Sequence, residues 1–356
     1  MRPSVLVAMS GGVDSSVAAC LLQEQGYDVI GSHMRLVHLD DVEHGCCGPS
    51  ARTDAAEVAR IAGFPFEIVD LSAEFDRSVI QDFVGEHRDG RTPNPCARCN
   101  GEIKFGAFLR RADSLGVDMV ATGHYVRTER RDGEPIRLLQ GLDGAKDQSY
   151  MLHMLGQREL ARSLFPVGAL SKDQTRAHAE RLRLPVAGKP DSQELCFAPA
   201  GRTGDFVRSA APGLVRAGEV VDPAGRVLAT HDGTFGFTVG QRRGLGVATG
   251  APRYVLELDA AANRVVVGPH ELLARRGLEA DRVRWVAGGP PADGPFEAGV
   301  RIRYRGPSVP AVVTPRGDEL QVGFASPQHA VAPGQSVVVY RGDELLGGGR
   351  IVRATP

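Results

Sequence analysis

The chain has 356 residues, 42% apolar and 24% charged, with a net charge of −1. That is the balance of a globular protein of two or three domains, and no run of about eighteen apolar residues exists to cross a membrane. Six cysteines, with none in the last 160 residues, exclude a disulfide scaffold, and the net charge by itself argues nothing for nucleic acid.

The start of the chain leads directly into a strand and shows no signal peptide, so a cytoplasmic location and no membrane partner are expected. Val5-Leu6-Val7-Ala8-Met9 predicts that strand, and a helical pattern with Val17, Leu21 and Leu22 on its buried face begins near Val13. Between them stands Ser10-Gly11-Gly12-Val13-Asp14-Ser15-Ser16. Two glycines let the backbone approach an anion, and the helix start offers free N–H groups and its positive dipole end. Hydroxyls of Ser10, Ser15 and Ser16 can add donors, and Asp14 can hold a magnesium ion on the phosphates. The stretch lacks the lysine of a Walker A loop and the spacing of a dinucleotide loop. It resembles the PP-loop, S-G-G-x-D-S, of enzymes that split ATP to AMP and pyrophosphate.

Asp28–Met34 predicts a second strand, whose end places the backbone of Met34 near an adenine. Residues 55–62 have helical spacing, Phe66–Leu71 a third strand, and Phe75, Val79 and Phe83 another helix. Cys20 and the Cys46-Cys47 pair read as structural. Arg91–Asn100, with Pro93 and Pro95, predicts a rigid loop. Val117–Thr122 reads as a strand ending at Gly123, Arg127–Leu139 as a hairpin, and Ser171-Lys172-Asp173-Gln174 as a capping box. Strands alternating with helices give an α/β domain with a mainly parallel sheet over residues 1–205. Short β-rich runs then give a small central domain over 206–276, with the glycine-rich segment Gly236–Gly246, and a β-barrel over 277–356. In the barrel, Arg301, Arg303 and Arg305 alternate with Ile302 and Tyr304, which in a strand puts three guanidinium groups on one face. Residues 1–200 carry 23 basic and 28 acidic groups, and residues 201–356 carry 19 and 15. The second half is therefore mildly basic, as a phosphate-facing surface or a plain solvated one would be.

Basic residues are nearly all arginine. The four lysines, Lys104, Lys146, Lys172 and Lys189, all lie in the first 200 residues. Where arginine is the default, a remaining lysine marks a place that wants a compact point charge. Cys96-Ala97-Arg98-Cys99 is a CxxC without a second CxxC, so it lacks the four ligands of a closed zinc site. Cys99 and Cys196 each stand on a loop of the nucleotide domain.

Over nearly its whole length the chain resembles the tRNA-specific 2-thiouridylases. The matching segments are Ser10–Ser16, Thr92–Phe105, Ala121–Tyr125, Lys146–Tyr150, Asp191–Phe197, Phe237–Gly246 and Arg301–Arg305. The resemblance implies a PP-loop domain of adenine nucleotide hydrolase-like fold, a small central domain and a C-terminal barrel that contacts tRNA. It also implies sulfur insertion at C2 of the wobble uridine in tRNAs for Lys, Glu and Gln. ATP, with magnesium, would lie on Ala8, Met9, Ser10, Gly11, Gly12, Val13, Asp14, Ser15, Ser16, Met34 and Gly123, and would adenylate the flipped-out uridine. Cys196 would carry a persulfide from a cysteine desulfurase or a sulfur-relay protein. Its terminal sulfur attacks C2, and Cys99 takes up what remains, leaving a Cys99–Cys196 disulfide. Asn94, Pro95 and Cys96 would line the target base, and His124, Lys146, Asp147, Gln148, Tyr304, Arg305 and Gln335 would contact tRNA. Cys96 stands where many members carry Asp. Cys96, Cys99 and Cys196 therefore also admit a [4Fe–4S] cluster on three thiols as an alternative sulfur donor. Two further readings are a PP-loop amide-forming ligase and a nucleotide-sensing RNA-binding module.

Overall fold

The computed structural model describes residues 2–37, 48–191, 195–198, 203–248 and 250–356. The Cys46-Cys47 pair lies outside them. The first unit is built on five parallel strands: β1 (Ser4–Ala8), β2 (Asp28–Arg35), β3 (Phe66–Asp70), β4 (Met119–Ala121) and β7 (Ser163–Leu164), in the order β3-β2-β1-β4-β7. Period two in β1 divides the core. Val5, Val7 and Met9 face α1 (Val13–Glu24) and α2 (Pro49–Ala62), while Leu6 and Ala8 face the aromatic side chains of Phe75, Phe105 and Phe108. A strand buried on both faces reads as a continuous apolar run, which is why its sequence was legible.

On the second face lie α3 (Ser72–Phe75) and α4 (Gln81–Arg88), joined by π-helical turns, and a longer helical segment over 95–114. The latter corrects an expectation. The rigid loop expected at 91–100 ends at Asn94, and Pro95–Cys99 is helix α5, continuing through π-helical Asn100–Ala107 into α6 (Phe108–Ser114). Pro95 does not break this helix because it stands in its first turn, where a missing N–H costs no hydrogen bond. Asn94 caps it by accepting the N–H of Ala97 at 3.2 Å.

A hairpin of β5 (Val126–Glu129) and β6 (Arg137–Gln140) leaves this unit, and α7 (Gln157–Ala161), α8 (Lys172–Arg181) and α9 (Thr203–Ala210) follow. The capping box at Ser171 is present. The central unit is a four-stranded sheet of β8 (Gly218–Val221), β9 (Val227–His231), β10 (Tyr254–Asp259) and β11 (Arg264–Gly268). The last unit has β12 (Ala274–Trp285), β13 (Phe296–Arg301), β14 (Val309–Arg316), β15 (Glu319–His329), β16 (Ser336–Arg341) and β17 (Glu344–Thr355), closed into a barrel by pairing of β12 with β17.

The barrel is not a separate body. The hairpin of the first unit joins it edge-on, Leu139 opposite Glu344 and Leu138 opposite Leu345, and Arg137 pairs with Glu344 at 2.9 Å. Val338, Tyr340 and Leu345 of the barrel belong to the same buried cluster as Leu6, Phe105 and Leu138. The expected arginine face is not formed. β13 ends at Arg301, and residues 302–306 make a turn in which Gly306 donates to the Arg303 carbonyl.

Three buried histidines set an acid limit on this fold. Burial depresses His87 and His153 to about 4, and burial followed by the nearby Lys104 charge holds His124 well below the usual imidazole range. The unfolded chain takes up these protons near pH 6.5 and the folded chain does not. Stability is therefore full above pH 6.5 and falls as pH drops toward 4, by about 1.4 kcal/mol per pH unit for each histidine. Urea midpoints measured from pH 7.5 to 4.5 should decline steadily across that window. His87→Phe, packing on Phe83, should make the decline shallower, and a flat wild-type profile would contradict this account.

Candidate active site

The loop after β1 is braced from within. Ser15 Oγ accepts the N–H of Ser10 at 3.1 Å, and Ser16 Oγ donates to the Gly12 carbonyl at 2.9 Å. Ser16 is fully buried and Ser15 nearly so. Their hydroxyls, expected as anion donors, hold the loop's shape instead. The backbone remains for the anion: the first N–H groups of α1 have no acceptor within a helix, and Gly12 has no side chain to cap them. Gly11 adopts a left-handed φ of +69°, and a Cβ there would strike the Ala51 carbonyl at 2.1 Å. Gly123, at the end of β4, backs the loop so closely that a Cβ would come within 2.6 Å of the Ser15 nitrogen. Ala8 and Met9 end β1 in the core, and Met34 is half-buried on β2 beside them.

Around this loop the structure gathers three of the four lysines. Lys172, which opens α8 and is almost wholly buried, binds Asp14 at 2.7 Å and Asp191 at 2.6 Å. Lys146 reaches the other oxygen of Asp191 at 2.8 Å. Lys189 donates to the Gly11 carbonyl at 3.0 Å and to Asp54 at 2.5 Å. Tyr125 completes the group by donating to Asp14 at 2.8 Å. Burial works to raise the Asp191 carboxyl, but its bonds to Lys146 and Lys172 outweigh this and hold it below the usual carboxylate range. Lys172, Lys189, Asp54 and Tyr125 were absent from the expected site. For the two lysines the signal was the scarcity of that residue, and Asp54 and Tyr125 had none. Asp14, expected to hold magnesium, has its carboxylate on the Lys172 ammonium and the Tyr125 phenol in this structure. Among the described residues, no three His, Cys, Asp or Glu side chains converge to hold a metal.

The cysteines divide by environment. Cys20 is buried on α1, and burial pushes its thiol up to about 11, which makes it inert. Cys99 is buried at the end of α5, while Cys96, one turn earlier, is half-exposed. Cys196 is half-exposed in a tight turn closed by Leu195 and Ala198, in which Ala198 donates to the Leu195 carbonyl. Phe197 pins the turn, with ring centroids 5.9, 5.1 and 4.9 Å from Phe75, Phe83 and Phe206. Cys99 and Cys196 thus contribute to one apolar cluster, and Cys20 to another. Cys96, Cys99 and Cys196 are all described, and the three-thiol cradle that a cluster requires is not formed.

The residues expected on tRNA sit mostly at the seam with the barrel. Asp147 is buried, accepts the N–H groups of Gly141 and Ser149, and binds Arg301 at 2.8 Å. Arg301 in turn lies over the Tyr340 ring at 4.8 Å. Gln148 accepts the N–H of Tyr125 at 3.0 Å, and buried His124 contacts Thr122 at 2.7 Å. These side chains are braces between elements. Arg305 and Tyr304 occupy the turn after β13, with the Arg305 guanidinium 6.0 Å from the Tyr304 ring centroid. Gln335 donates to the carbonyls of Thr92 and Pro93 at 2.9 and 3.2 Å, and so touches the segment that leads to Asn94 and Pro95.

Models of a tRNA methyl transferase HUP domain, a tRNA methyl transferase PRC-barrel domain and an aminomethyltransferase beta-barrel domain match residues 3–200, 205–269 and 275–351. The tRNA-specific 2-thiouridylase MnmA of Geobacter metallireducens is 47% identical over 358 residues, which cover 98% of this chain and 97% of that protein. MnmA of Acidothermus cellulolyticus is 46% identical, covering 98% and 97%, and MnmA of Roseiflexus castenholzii 45% identical, covering 98% and 99%. The described residues contain no helix long and apolar enough to cross a membrane.

Proposed function

The chain belongs to the family of tRNA-specific 2-thiouridylases, and from that premise we propose how its own residues carry the reaction. It is a tRNA-uridine 2-sulfurtransferase acting on the wobble uridine. The observation that carries the mechanism is the position of Asp191. It is held by two lysines beside the phosphate loop and stands five residues before Cys196, a span of at most about 18 Å. Nucleotide and sulfur chemistry therefore share one neighbourhood.

ATP, bound as its magnesium complex, lays its phosphates on the backbone N–H groups that open α1, with Lys146, Lys172 and Lys189 supplying positive charge. The extruded uridine presents its C2 oxygen to the α-phosphorus, so pyrophosphate leaves and the oxygen becomes part of an AMP leaving group. A persulfide on Cys196, loaded by a cysteine desulfurase or a relay protein, attacks C2 with its terminal sulfur. The Cys99 thiolate then attacks Sγ of Cys196. The sulfur–sulfur bond breaks, sulfur stays on C2, AMP departs, and a Cys99–Cys196 disulfide remains for an external thiol to reduce. Cys99 is buried in this structure, so the step needs the α5 region or the Cys196 turn to shift. The persulfide route requires only Cys99 and Cys196 to meet, whereas a cluster would require Cys96 as well. The substrates are the tRNAs for Lys, Glu and Gln, and the site of action is the cytoplasm.

The test is anaerobic incubation with unmodified tRNA, ATP, magnesium and a persulfide donor, followed by mass spectrometry of the nucleosides. 2-Thiouridine with AMP and pyrophosphate is the expected result. AMP and pyrophosphate without thiolated nucleoside would refute the sulfur step, and the absence of all three would refute the enzyme.

A further inference from the structure

The turn before β16 and its first residue grip the segment that leads to the cysteine helix. Thr92 donates its N–H to the Pro333 carbonyl at 2.8 Å. Gly334 has φ +91°, and a Cβ there would press on the Thr92 backbone at 2.8 Å. Next comes Ser336, which is buried. Its Oγ accepts from Asn94 Nδ2 at 3.2 Å and lies 3.0 Å from Nε2 of the buried His153. Its carbonyl accepts the Tyr150 hydroxyl at 2.7 Å. A hydroxyl has one donor hydrogen and two lone pairs, so it bridges Asn94 and His153 whichever ring nitrogen carries the proton. The other end of the Asn94 amide caps α5 through the Ala97 N–H. An amide held at its nitrogen keeps its oxygen aimed at the helix.

We propose that Ser336 of the barrel is a positioning residue for sulfur transfer: it fixes the Asn94 cap and, through it, the helix that carries Cys96 and Cys99. This rests on the reading of Cys99 given above. The barrel then completes the active site from 242 residues away, in addition to any surface it offers to RNA. Loss of the hydroxyl leaves Asn94 free to turn, and the first turn of α5 frays.

The experiment compares wild-type, Ser336→Ala and Ser336→Thr proteins, full-length and checked for equal far-ultraviolet dichroism. Steady-state thiolation gives kcat and KM for tRNA. Alkylation by iodoacetamide, followed by peptide mass spectrometry, gives the separate rates at Cys99 and Cys196. For Ser336→Ala the expectation is a kcat lower by about tenfold, a KM within about twofold, and Cys99 alkylation faster by about fivefold with Cys196 unchanged. Ser336→Thr, which keeps the hydroxyl, restores kcat. Equal alkylation of Cys99 in Ser336→Ala and wild type overturns the proposal, as does a defect confined to KM. The alkylation arm needs no turnover. A wild-type protein that makes no 2-thiouridine therefore refutes the reaction, while the Cys99 rates still judge the helix.

Discussion

Replacing Cys196 by Ser is expected to reduce 2-thiouridine formation by at least ~10³-fold, because a hydroxyl cannot carry the persulfide sulfur. The fold should be unaffected. Cys196 is half-exposed at the edge of the apolar cluster, and its turn is held by Phe197 among Phe75, Phe83 and Phe206, so an isosteric serine leaves the rings that fix the turn in place. The contrast with Cys99→Ser makes the test decisive. Without Cys99 the sulfur reaches C2, but the bond back to Cys196 persists, so tRNA should accumulate on the protein as an adduct released by dithiothreitol. Added thiol should restore turnover to Cys99→Ser and not to Cys196→Ser. Denaturing gels with and without reductant read both outcomes. Persistent thiolation by Cys196→Ser would remove Cys196 from the mechanism, and an adduct in Cys196→Ser would reverse the two roles.

Lys172→Met should be nearly as severe, for a different reason. Lys172 is almost wholly buried between two carboxylates, Asp14 at 2.7 Å and Asp191 at 2.6 Å. Its removal leaves Asp14 with the Tyr125 hydroxyl and Asp191 with Lys146, so the cost falls below the about 3–5 kcal/mol of a fully stranded buried charge. The same ammonium is the charge best placed to stabilise the leaving pyrophosphate, so AMP formation should fall by about 10²–10³-fold. The double variant Lys172→Met/Asp191→Asn separates the effects. Removing one negative charge from the group should recover part of the thermal stability and none of the ATP cleavage. Lys172→Arg should fail to rescue, since a planar fork does not fit a pocket shaped for a point charge. Recovery of ATP cleavage in the double variant would mean that Lys172 serves the fold alone.

Where neighbouring residues decide a structure, the sequence was informative. β1, its glycine turn and α1 are one local pattern, and the apolar run of β1 follows from burial on both faces. Proline usually punctuates a sequence, but Pro95 stands in the first turn of its helix, where it is tolerated, so the residue type alone points to a loop that is not there. The arginines at 301, 303 and 305 were misread because alternation holds only while a strand lasts, and this one ends at Arg301. Pairs such as Lys172 with Asp14, or Arg301 with Asp147, join residues more than 150 positions apart. No spacing rule reaches that far. The rarity of lysine in an arginine-rich chain was the one trace of the cluster that a sequence could carry.

The edge-on pairing of β6 with β17 has a consequence for how the protein is made. The hairpin leaves the ribosome about 200 residues before Glu344 and Leu345, the strand that covers it. At ordinary rates of translation that is a delay of about 10–40 s. Throughout it, Leu138 and its neighbours lack the Val338, Tyr340 and Leu345 side chains that complete their core. The nascent first unit must wait with an open strand edge, the kind of surface on which chaperones act and aggregates begin. Synthesis of β17 is thus the event that closes this shared core, and a chain halted before Glu344 would keep the edge of β6 open.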